Sequence, residues 1–219
     1  MKNNNKGENE GFINVLKGLY AITDERLTPF SDLISCVKKA LEGGAKIIQL
    51  RDKTKKDEEL LPIALSLKEL CESYGALFIV NDRVSLAAKS DAHGVHIGKD
   101  DGTVKEVRLL LGPKKIIGVS CYNDFNRALV MEQAGADYVA FGSFFPSPTK
   151  PTAVKAQIDL LKRAKKELTI PICAIGGITV DNASSLIRSG ADMVAVISDL
   201  WRSKNITKKA RIFSNLFVC

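Results

Sequence analysis

Two basic residues, Arg51 and Lys53, follow a short apolar run and are separated by a single position. Alternation along an extended segment places both on the same side of the chain as Gln49. Arginine offers a planar fork of donors and lysine a mobile point charge, and this combination suits a diphosphate. A mixed-charge stretch on an ordinary surface loop has the same composition, so that alternative stays open at this point.

Two carboxylates, Asp82 and Asp101, follow the next two apolar runs along the chain. Mg²⁺ is commonly held by one or two carboxylates, while water and substrate phosphate complete its coordination. The pair therefore predicts a magnesium site beside the two cations. The alternatives are structural, because Asp82 has the residue type of a helix N-cap and Asp101, like Asp100, that of a turn residue.

Two later segments have the composition of anion-binding loops. The first is rich in proline and contains Ser147, Thr149 and Lys150, which offer two hydroxyls and a positive charge. The second leaves an apolar run through Gly176 and Gly177 and enters a helical pattern, so that backbone N–H groups can face a phosphate. A proline-rich turn and a tight glycine turn are the corresponding structural alternatives.

Eight short apolar runs, rich in β-branched residues, must position these side chains. They cover 19–23, 47–50, 77–80, 94–97, 116–120, 138–142, 170–175 and 193–197. Most of them lack the polar alternation of a strand with one wet face, which indicates strands buried on both faces, as in parallel sheets. Segments with helical periodicity lie between the runs, so strand and helix alternate throughout.

A Gly-Ala pair stands between helix and strand at four of these junctions, beginning at positions 44, 75, 135 and 190. Glycine can take the left-handed conformation that ends a helix. The repeated units predict an α/β protein, a single (β/α)8 TIM barrel, with its active site at the carboxyl ends of the strands. The alternative is a doubly wound open sheet, but the Gly-x-Gly-x-x-Gly turn expected after its first strand is absent.

Length and composition suit one such domain. The chain has 219 residues, of which 45% are hydrophobic and 26% charged, and these values exclude disordered and fibrous classes. We predict a flexible N-terminal extension at 1–17, a catalytic barrel at 18–200, and a basic C-terminal tail or terminal helix at 201–219. The extension is polar and lacks the apolar core of a secretory signal.

Most of the excess positive charge lies at the C-terminal end of the chain. The chain carries 32 Lys and Arg against 25 Asp and Glu, and its last 20 residues contain five cations and no acid. A solvated tail is the favoured interpretation, because no nucleic-acid-binding motif accompanies these cations.

Scattered cysteines without metal-ligand spacing suit a reducing compartment, so we predict a cytoplasmic protein. No apolar run reaches the ~18 residues of a membrane span.

Two further reactive residue types are interpreted as structural. His96 is interpreted as a packed or supporting histidine rather than a general base. Its neighbour His93 does not complete a metal site, because the two point to opposite sides of a strand start. Cys121 lacks a nearby histidine-containing elbow that would activate it, and a buried small side chain is the preferred interpretation.

With these motifs in hand, the sequence resembles the thiamine-phosphate synthases. The resemblance spans about 19–198 and rests, in order, on Gln49-Leu50-Arg51-x-Lys53, Val80-Asn81-Asp82, Val95-His96-Ile97-Gly98-x-x-Asp101, Gly118-Val119-Ser120, Thr149-Lys150 and Ala174-Ile175-Gly176-Gly177-Ile178. It implies a TIM-barrel transferase of thiamine biosynthesis. Such an enzyme joins 4-amino-5-hydroxymethyl-2-methylpyrimidine diphosphate to thiazole phosphate and gives thiamine phosphate and pyrophosphate.

The resemblance also implies a role for each matching residue. The pyrimidine diphosphate would be bound by Gln49, Arg51, Lys53, Asn81, Ser120 and Lys150, of which Arg51, Lys53, Ser120 and Lys150 would be catalytic. Mg²⁺ would be bound by Asp82 and Asp101. The thiazole phosphate would be bound by Ser147, Thr149, Gly177, Ile197 and Ser198. Two positions depart from the family pattern, since Lys99 stands where glutamine is common and Ser147 where threonine is common, but neither change removes a ligand.

Small-molecule substrates are thus the expected partners, without nucleic acid or membrane, and a homo-oligomer is left open. One rival function is that of the thiazole tautomerases, barrel relatives that bind thiazole phosphate without joining it to a pyrimidine. The residues assigned to the diphosphate argue against it, because an isomerase needs no diphosphate cage. A second rival is a non-catalytic barrel that binds phosphate or nucleic acid through the basic tail.

Overall fold

Eight parallel strands close into a barrel in the computed structural model, which describes residues 15–146 and 155–218. The strands are β1 (Gly18–Ile22), β2 (Ile47–Leu50), β3 (Leu77–Asn81), β4 (Gly94–Ile97), β5 (Ile116–Tyr122), β6 (Tyr138–Phe141), β7 (Ile172–Ile175) and β8 (Met193–Val196). Each strand pairs with the next, and β8 pairs with β1. The predicted (β/α)8 barrel is confirmed, and the open-sheet alternative is wrong.

A helix follows every strand. The helices are α1 (Leu33–Glu42), α2 (Asp57–Ser73), α3 (Val84–Lys89), α4 (Val104–Leu111), α5 (Phe125–Gln133), α6 (Ile158–Glu167), α7 (Val180–Arg188), the short α8 (Ser198–Trp201) and the terminal α9 (Ile206–Asn215). Within the described residues, no helix has both the length and the apolar character needed to cross a bilayer.

Alternation along the strands creates two apolar layers, one between sheet and helices and one inside the barrel. The inner layer contains Leu16, Tyr20, Ile22, Ile47, Leu77, Ile79, Ile116, Tyr138, Ala140, Cys173, Met193 and Ala195. Leu16 belongs to the segment that the sequence assigned to a flexible extension, yet it is 1% exposed. Residues 1–14 of that extension lie outside the described part of the chain.

The four glycines predicted to end helices all have positive φ. The angles are +94° at Gly44, +61° at Gly75, +95° at Gly135 and +113° at Gly190. This conformation strains residues that carry a Cβ. Glycine adopts it with little strain, so each helix can end here and the chain can enter the next strand.

Gly118 on β5 is required for a different reason: its missing side chain leaves space for the ring of Tyr138. It is the register partner of Tyr138 on β6. A Cβ added at Gly118 would lie 1.9 Å from Cζ and 2.3 Å from Oη of Tyr138. The missing side chain therefore allows a tyrosine, with its hydroxyl, to lie inside the barrel.

The basic C-terminal segment is a docked helix rather than a solvated tail. Helix α9 packs on α1 and β1, with Ala210 and Phe213 buried. Just before it, the Trp201 indole N–H donates to the carbonyl oxygen of Ile22 at 2.6 Å. Of the five cations in this segment, only Lys209 is half-buried, and the others are exposed.

Candidate active site

A cavity of about 360 Å³ opens at the carboxyl ends of the strands. Five of the residues predicted to bind substrate line it: Gln49, Arg51, Asn81, Ser120 and Ile197. They come from β2, β3, β5 and the loops that follow β2 and β8. Parallel strands in a barrel bring their carboxyl ends to one face, which explains why residues so distant in sequence meet here.

A smaller cavity of about 140 Å³ adjoins the first, and Gly176 and Ile197 line both. Its walls include the predicted Gly177 and Ser198, together with Asp199, which is the second residue of α8. The predicted residues Ser147, Thr149 and Lys150 lie outside the described residues.

A chain of hydrogen bonds crosses the floor of the larger cavity and connects Gln49 to Ser120. Gln49 Nε2 donates to Tyr20 Oη at 2.6 Å, and Tyr20 Oη lies 2.8 Å from Tyr138 Oη. Tyr138 Oη lies 2.9 Å from His96 Nδ1, and His96 Nε2 lies 2.9 Å from Ser120 Oγ. The five side chains belong to five different strands, so the chain of bonds spans the barrel interior.

One direction of donation satisfies every group along this chain. Burial raises the pKa of both Tyr20 and Tyr138, so both hydroxyls keep their hydrogen at neutral pH. Tyr20 accepts from Gln49 and donates to Tyr138, which donates to His96 Nδ1. An imidazole that accepts at Nδ1 carries its hydrogen on Nε2, which donates to Ser120. The Gln49 carbonyl oxygen and the Ser120 hydrogen are then directed to other partners.

Replacing Tyr138 with phenylalanine removes the central hydroxyl of this chain and keeps the ring. Tyr20 and His96 each lose a buried partner, so we expect Tyr138→Phe to lower the free energy of unfolding by about 2 kcal/mol. Urea denaturation measures the change. Tyr74→Phe is the control, because Tyr74 is 39% exposed and water can replace its partners. Equal stability of the two variants would contradict the hydrogen-bond chain.

The predicted cations Arg51 and Lys53 each lie beside a carboxylate, and Arg51 also lines the larger cavity. Arg51 Nη1 lies 3.3 Å from Glu25 Oε2 and 4.0 Å from Asp24 Oδ2. Lys53 Nζ lies 3.5 Å from Asp82 Oδ2, with its side chain 56% exposed. Sequence reasoning missed the two acidic partners of Arg51, which lie two and three residues after the end of β1. They hold the guanidinium in place while its remaining donors can face an anion.

Asp82 and Asp101 lie side by side. Asp82 directly follows β3, and Asp101 lies four residues after the end of β4, the strand that pairs with β3. Burial raises the pKa of Asp101, and the neighbouring charge of Asp82 adds to the effect, although the Gly98 N–H, 2.7 Å from Oδ2, opposes it. Asp82 has φ +60°, an uncommon conformation for a residue other than glycine. Two carboxylates that repel each other in this way would be stabilised by a bound cation.

This donor set fits Mg²⁺. Among residues 15–146 and 155–218, no group of three or more His, Cys, Asp and Glu side chains is placed to hold a metal ion. A cation at Asp82 and Asp101 would therefore take its other ligands from water and from a substrate phosphate, as Mg²⁺ commonly does. Lys99 and Asp100, the two residues that precede Asp101 in the sequence, are exposed.

Cys121 has the character of a structural residue. Burial raises the pKa of its thiol to about 12, so it stays protonated at neutral pH and is a poor nucleophile. His96 is buried, and its two ring nitrogens lie within hydrogen-bonding distance of Tyr138 and Ser120. These observations agree with the supporting roles that the sequence suggested for both side chains.

The family model described as thiamine monophosphate synthase matches residues 19–200. The chain belongs to this family. A thiamine-phosphate synthase of Nitrosococcus oceani is 49% identical over 202 residues, which are 92% of this chain and 93% of the relative. That of Thioalkalivibrio sulfidiphilus is 46% identical, over 92% and 96% of the two chains.

A solved structure agrees with these sequence comparisons. The thiamine phosphate pyrophosphorylase from Pyrococcus furiosus is 37% identical and superposes with a TM-score of 0.85, over 94% of this chain and 98% of that chain. The resemblance to the thiamine-phosphate synthases that the motifs suggested is confirmed. Membership of the thiamine monophosphate synthase family makes this chain a transferase that forms thiamine phosphate in thiamine biosynthesis.

Proposed function

We propose that the two cavities at the barrel mouth join a hydroxymethylpyrimidine diphosphate to a thiazole phosphate and release pyrophosphate. One observation carries this proposal: the larger cavity combines neutral hydrogen-bonding groups on its floor with Arg51 at its rim, and Lys53 lies beside the neighbouring carboxylate Asp82. A neutral heterocycle that carries a diphosphate needs this combination of surfaces.

The hydrogen-bond chain supports recognition of an aminopyrimidine. Such a ring presents a donor amino group beside an acceptor ring nitrogen. Gln49, oriented by Tyr20, has its carbonyl oxygen left to accept from the amino group, and Ser120 has its hydrogen left to donate to a ring nitrogen. Asn81 lines the same cavity and offers a further amide to the substrate.

The diphosphate would be held by Arg51 and Lys53, with Lys150 as a third cation. Asp82 and Asp101 would hold Mg²⁺, which when bound supplies positive charge to the pyrophosphate leaving group. Lys53 lies beside Asp82. The same lysine can therefore face the diphosphate and balance the charge of a metal ligand.

The reaction needs no nucleophile from the protein. The bond from the pyrimidine methylene carbon to the diphosphate oxygen breaks, and its electron pair leaves with pyrophosphate. The lone pair of the thiazole nitrogen forms the new bond to that carbon. Arg51, Lys53 and Lys150 stabilise the negative charge that develops on the leaving group, while Gln49 and Ser120 hold the ring in position.

The smaller cavity is the proposed site of the thiazole phosphate. Gly177 and Ser198 line it, and Ile197 lies between the two cavities. The positive end of the α7 dipole, at Val180, favours a negative charge there. Ser147 and Thr149 complete the proposed set of ligands. The shared wall supports direct contact between the two substrates, which a tautomerase would not require.

The test combines purified protein, Mg²⁺, the pyrimidine diphosphate and the thiazole phosphate. We expect thiamine phosphate and pyrophosphate in equal amounts, measured by chromatography and a coupled pyrophosphate assay. Removal of Mg²⁺ with EDTA should stop the reaction, and added Mg²⁺ should restore it. Folded protein that forms no product from verified substrates would contradict the proposal. Isomerisation of the thiazole phosphate alone would favour the tautomerase.

A further inference from the structure

We propose that Lys209 on the terminal helix α9 prepares the smaller cavity for phosphate by neutralising Asp199. The inference rests on the proposed binding of thiazole phosphate in that cavity. It gives the basic C-terminal segment a function that its composition alone did not suggest, and it makes Lys209 a positioning residue that does not itself contact the substrate.

Asp199 lies in an unexpected place for a phosphate-binding cavity. Asp199 is one of the residues that line the smaller cavity. Its Oδ2 accepts at 3.2 Å from the N–H of Val180, which is the first residue of α7. The positive end of the helix dipole stabilises this carboxylate. A negative charge therefore already occupies part of the electrostatic field that would attract a phosphate.

Lys209, on helix α9, forms an ion pair with Asp199. Its Nζ lies 3.2 Å from Oδ1 and 3.3 Å from Oδ2 of Asp199, so it contacts both carboxylate oxygens. The side chains of the pair are 27% and 23% exposed, and solvent screens them only in part. Lys209 is also the one cation of the segment 201–219 that is half-buried, whereas the neighbouring Lys208 is exposed.

The consequence is electrostatic. Without Lys209, a phosphate dianion entering the cavity would meet an uncompensated Asp199, and like charges at short range in a partly buried site repel strongly. Helix α9 does not need the ion pair for its attachment, because Ala210 and Phe213 bury its apolar face. The effect on binding and the effect on folding can therefore be separated.

The first variant is Lys209→Gln. We expect the KM for thiazole phosphate to rise about tenfold, with the KM for the pyrimidine diphosphate and kcat changed less than about twofold. Lys208→Gln removes an equal charge from an adjacent exposed position and should leave all three constants unchanged. Added salt should reduce the difference between Lys209→Gln and the wild type. An unchanged KM for thiazole phosphate in Lys209→Gln would overturn the inference.

The decisive control is the double variant Asp199→Asn/Lys209→Gln. Asparagine keeps an acceptor for the Val180 N–H but has no charge, so the KM for thiazole phosphate should return to within about twofold of wild type. A purely structural ion pair predicts the opposite, since the double variant would be no better than the single one. Competition by the uncharged thiazole alcohol should be the same in all variants, because only the phosphate senses Asp199.

Direct binding separates this inference from the proposed function. Calorimetric titration of wild type and Lys209→Gln with thiazole phosphate, and with inorganic phosphate as a simpler probe, needs no turnover. Wild type that binds either ligand about tenfold more tightly than Lys209→Gln supports the inference even where no thiamine phosphate is made. Equal affinities in an active enzyme would overturn the inference and leave the proposed function intact.

Discussion

Asp101→Asn is expected to lower kcat/KM for the pyrimidine diphosphate by roughly 1000-fold, because it removes one of two charges proposed to hold Mg²⁺. Asparagine can still accept from the Gly98 N–H, which lies 2.7 Å from Oδ2, so the local backbone keeps its partner. The loss therefore reports on charge at the metal site. The Mg²⁺ concentration that gives half-maximal rate should rise in parallel.

Asp100→Asn is the matched control for this change. Asp100 is the preceding residue, carries the same charge and is exposed, and it lies in the same turn. We expect its kcat/KM to stay within about twofold of wild type, because screened surface charges contribute little. Steady-state rates over a series of Mg²⁺ concentrations measure both variants. Equal losses would mean that Asp101 is not the ligand, and that only the charge of the turn matters.

Gly118→Ala is expected to lower the free energy of unfolding by about 3 kcal/mol, at the upper end for overpacking of a core. The new Cβ would lie 1.9 Å from the fully buried Tyr138 ring, and the strands on either side hold the backbone in place. Displacement of Tyr138 would also break its hydrogen bonds to Tyr20 and His96, which are the partners of Gln49 and Ser120. Activity at low temperature, where the variant remains folded, should therefore fall as well.

Gly75→Ala separates crowding from backbone strain. Gly75 has φ +61°, but a Cβ there meets no atom within 4 Å, so its replacement costs only the strain of that conformation, about 1 kcal/mol. Urea denaturation followed by the fluorescence of Trp201 compares the two variants. A greater loss from Gly75→Ala than from Gly118→Ala would refute the account of Gly118 as space for a ring.

Hydrophobic pattern was sufficient to predict the barrel and most strand positions. The runs 47–50 and 94–97 coincide with β2 and β4 at both ends. The run 170–175 begins two residues before β7, because Pro171 lacks the N–H that a strand residue contributes. Strand β5 continues to Tyr122 past a bulge after Ser120, and a run of apolar residues carries no sign of a bulge.

The predicted site residues came from the resemblance to the thiamine-phosphate synthases and from one physical rule. The rule, that polar residues at the ends of parallel strands meet at one face, predicts that Gln49, Asn81 and Ser120 lie close together. It could not find the pairing of Tyr20 with Tyr138, which are 118 positions apart and each lie within an apolar run. Only closure of the barrel brings their hydroxyls into contact, so no local pattern carries the signal.

The C-terminal helix shows a similar limit. Its charge was evident from composition, but its attachment depends on Ile206, Ala210 and Phe213, which repeat at helical spacing. That spacing was the available signal, and the high charge of the segment obscured it. The ion pair from Lys209 to Asp199 joins two elements whose relative position follows from packing.

Closure of the barrel also has a consequence for the order in which the chain is made. Strand β1 leaves the ribosome early, but one of its two edges has no partner until β8 follows, and the Trp201 bond to Ile22 joins residues 179 positions apart. Contacts this distant form slowly and leave unpaired strand edges exposed in the meantime. A nascent chain that pauses before β8 would therefore be at its most vulnerable to aggregation, and at its most dependent on chaperones.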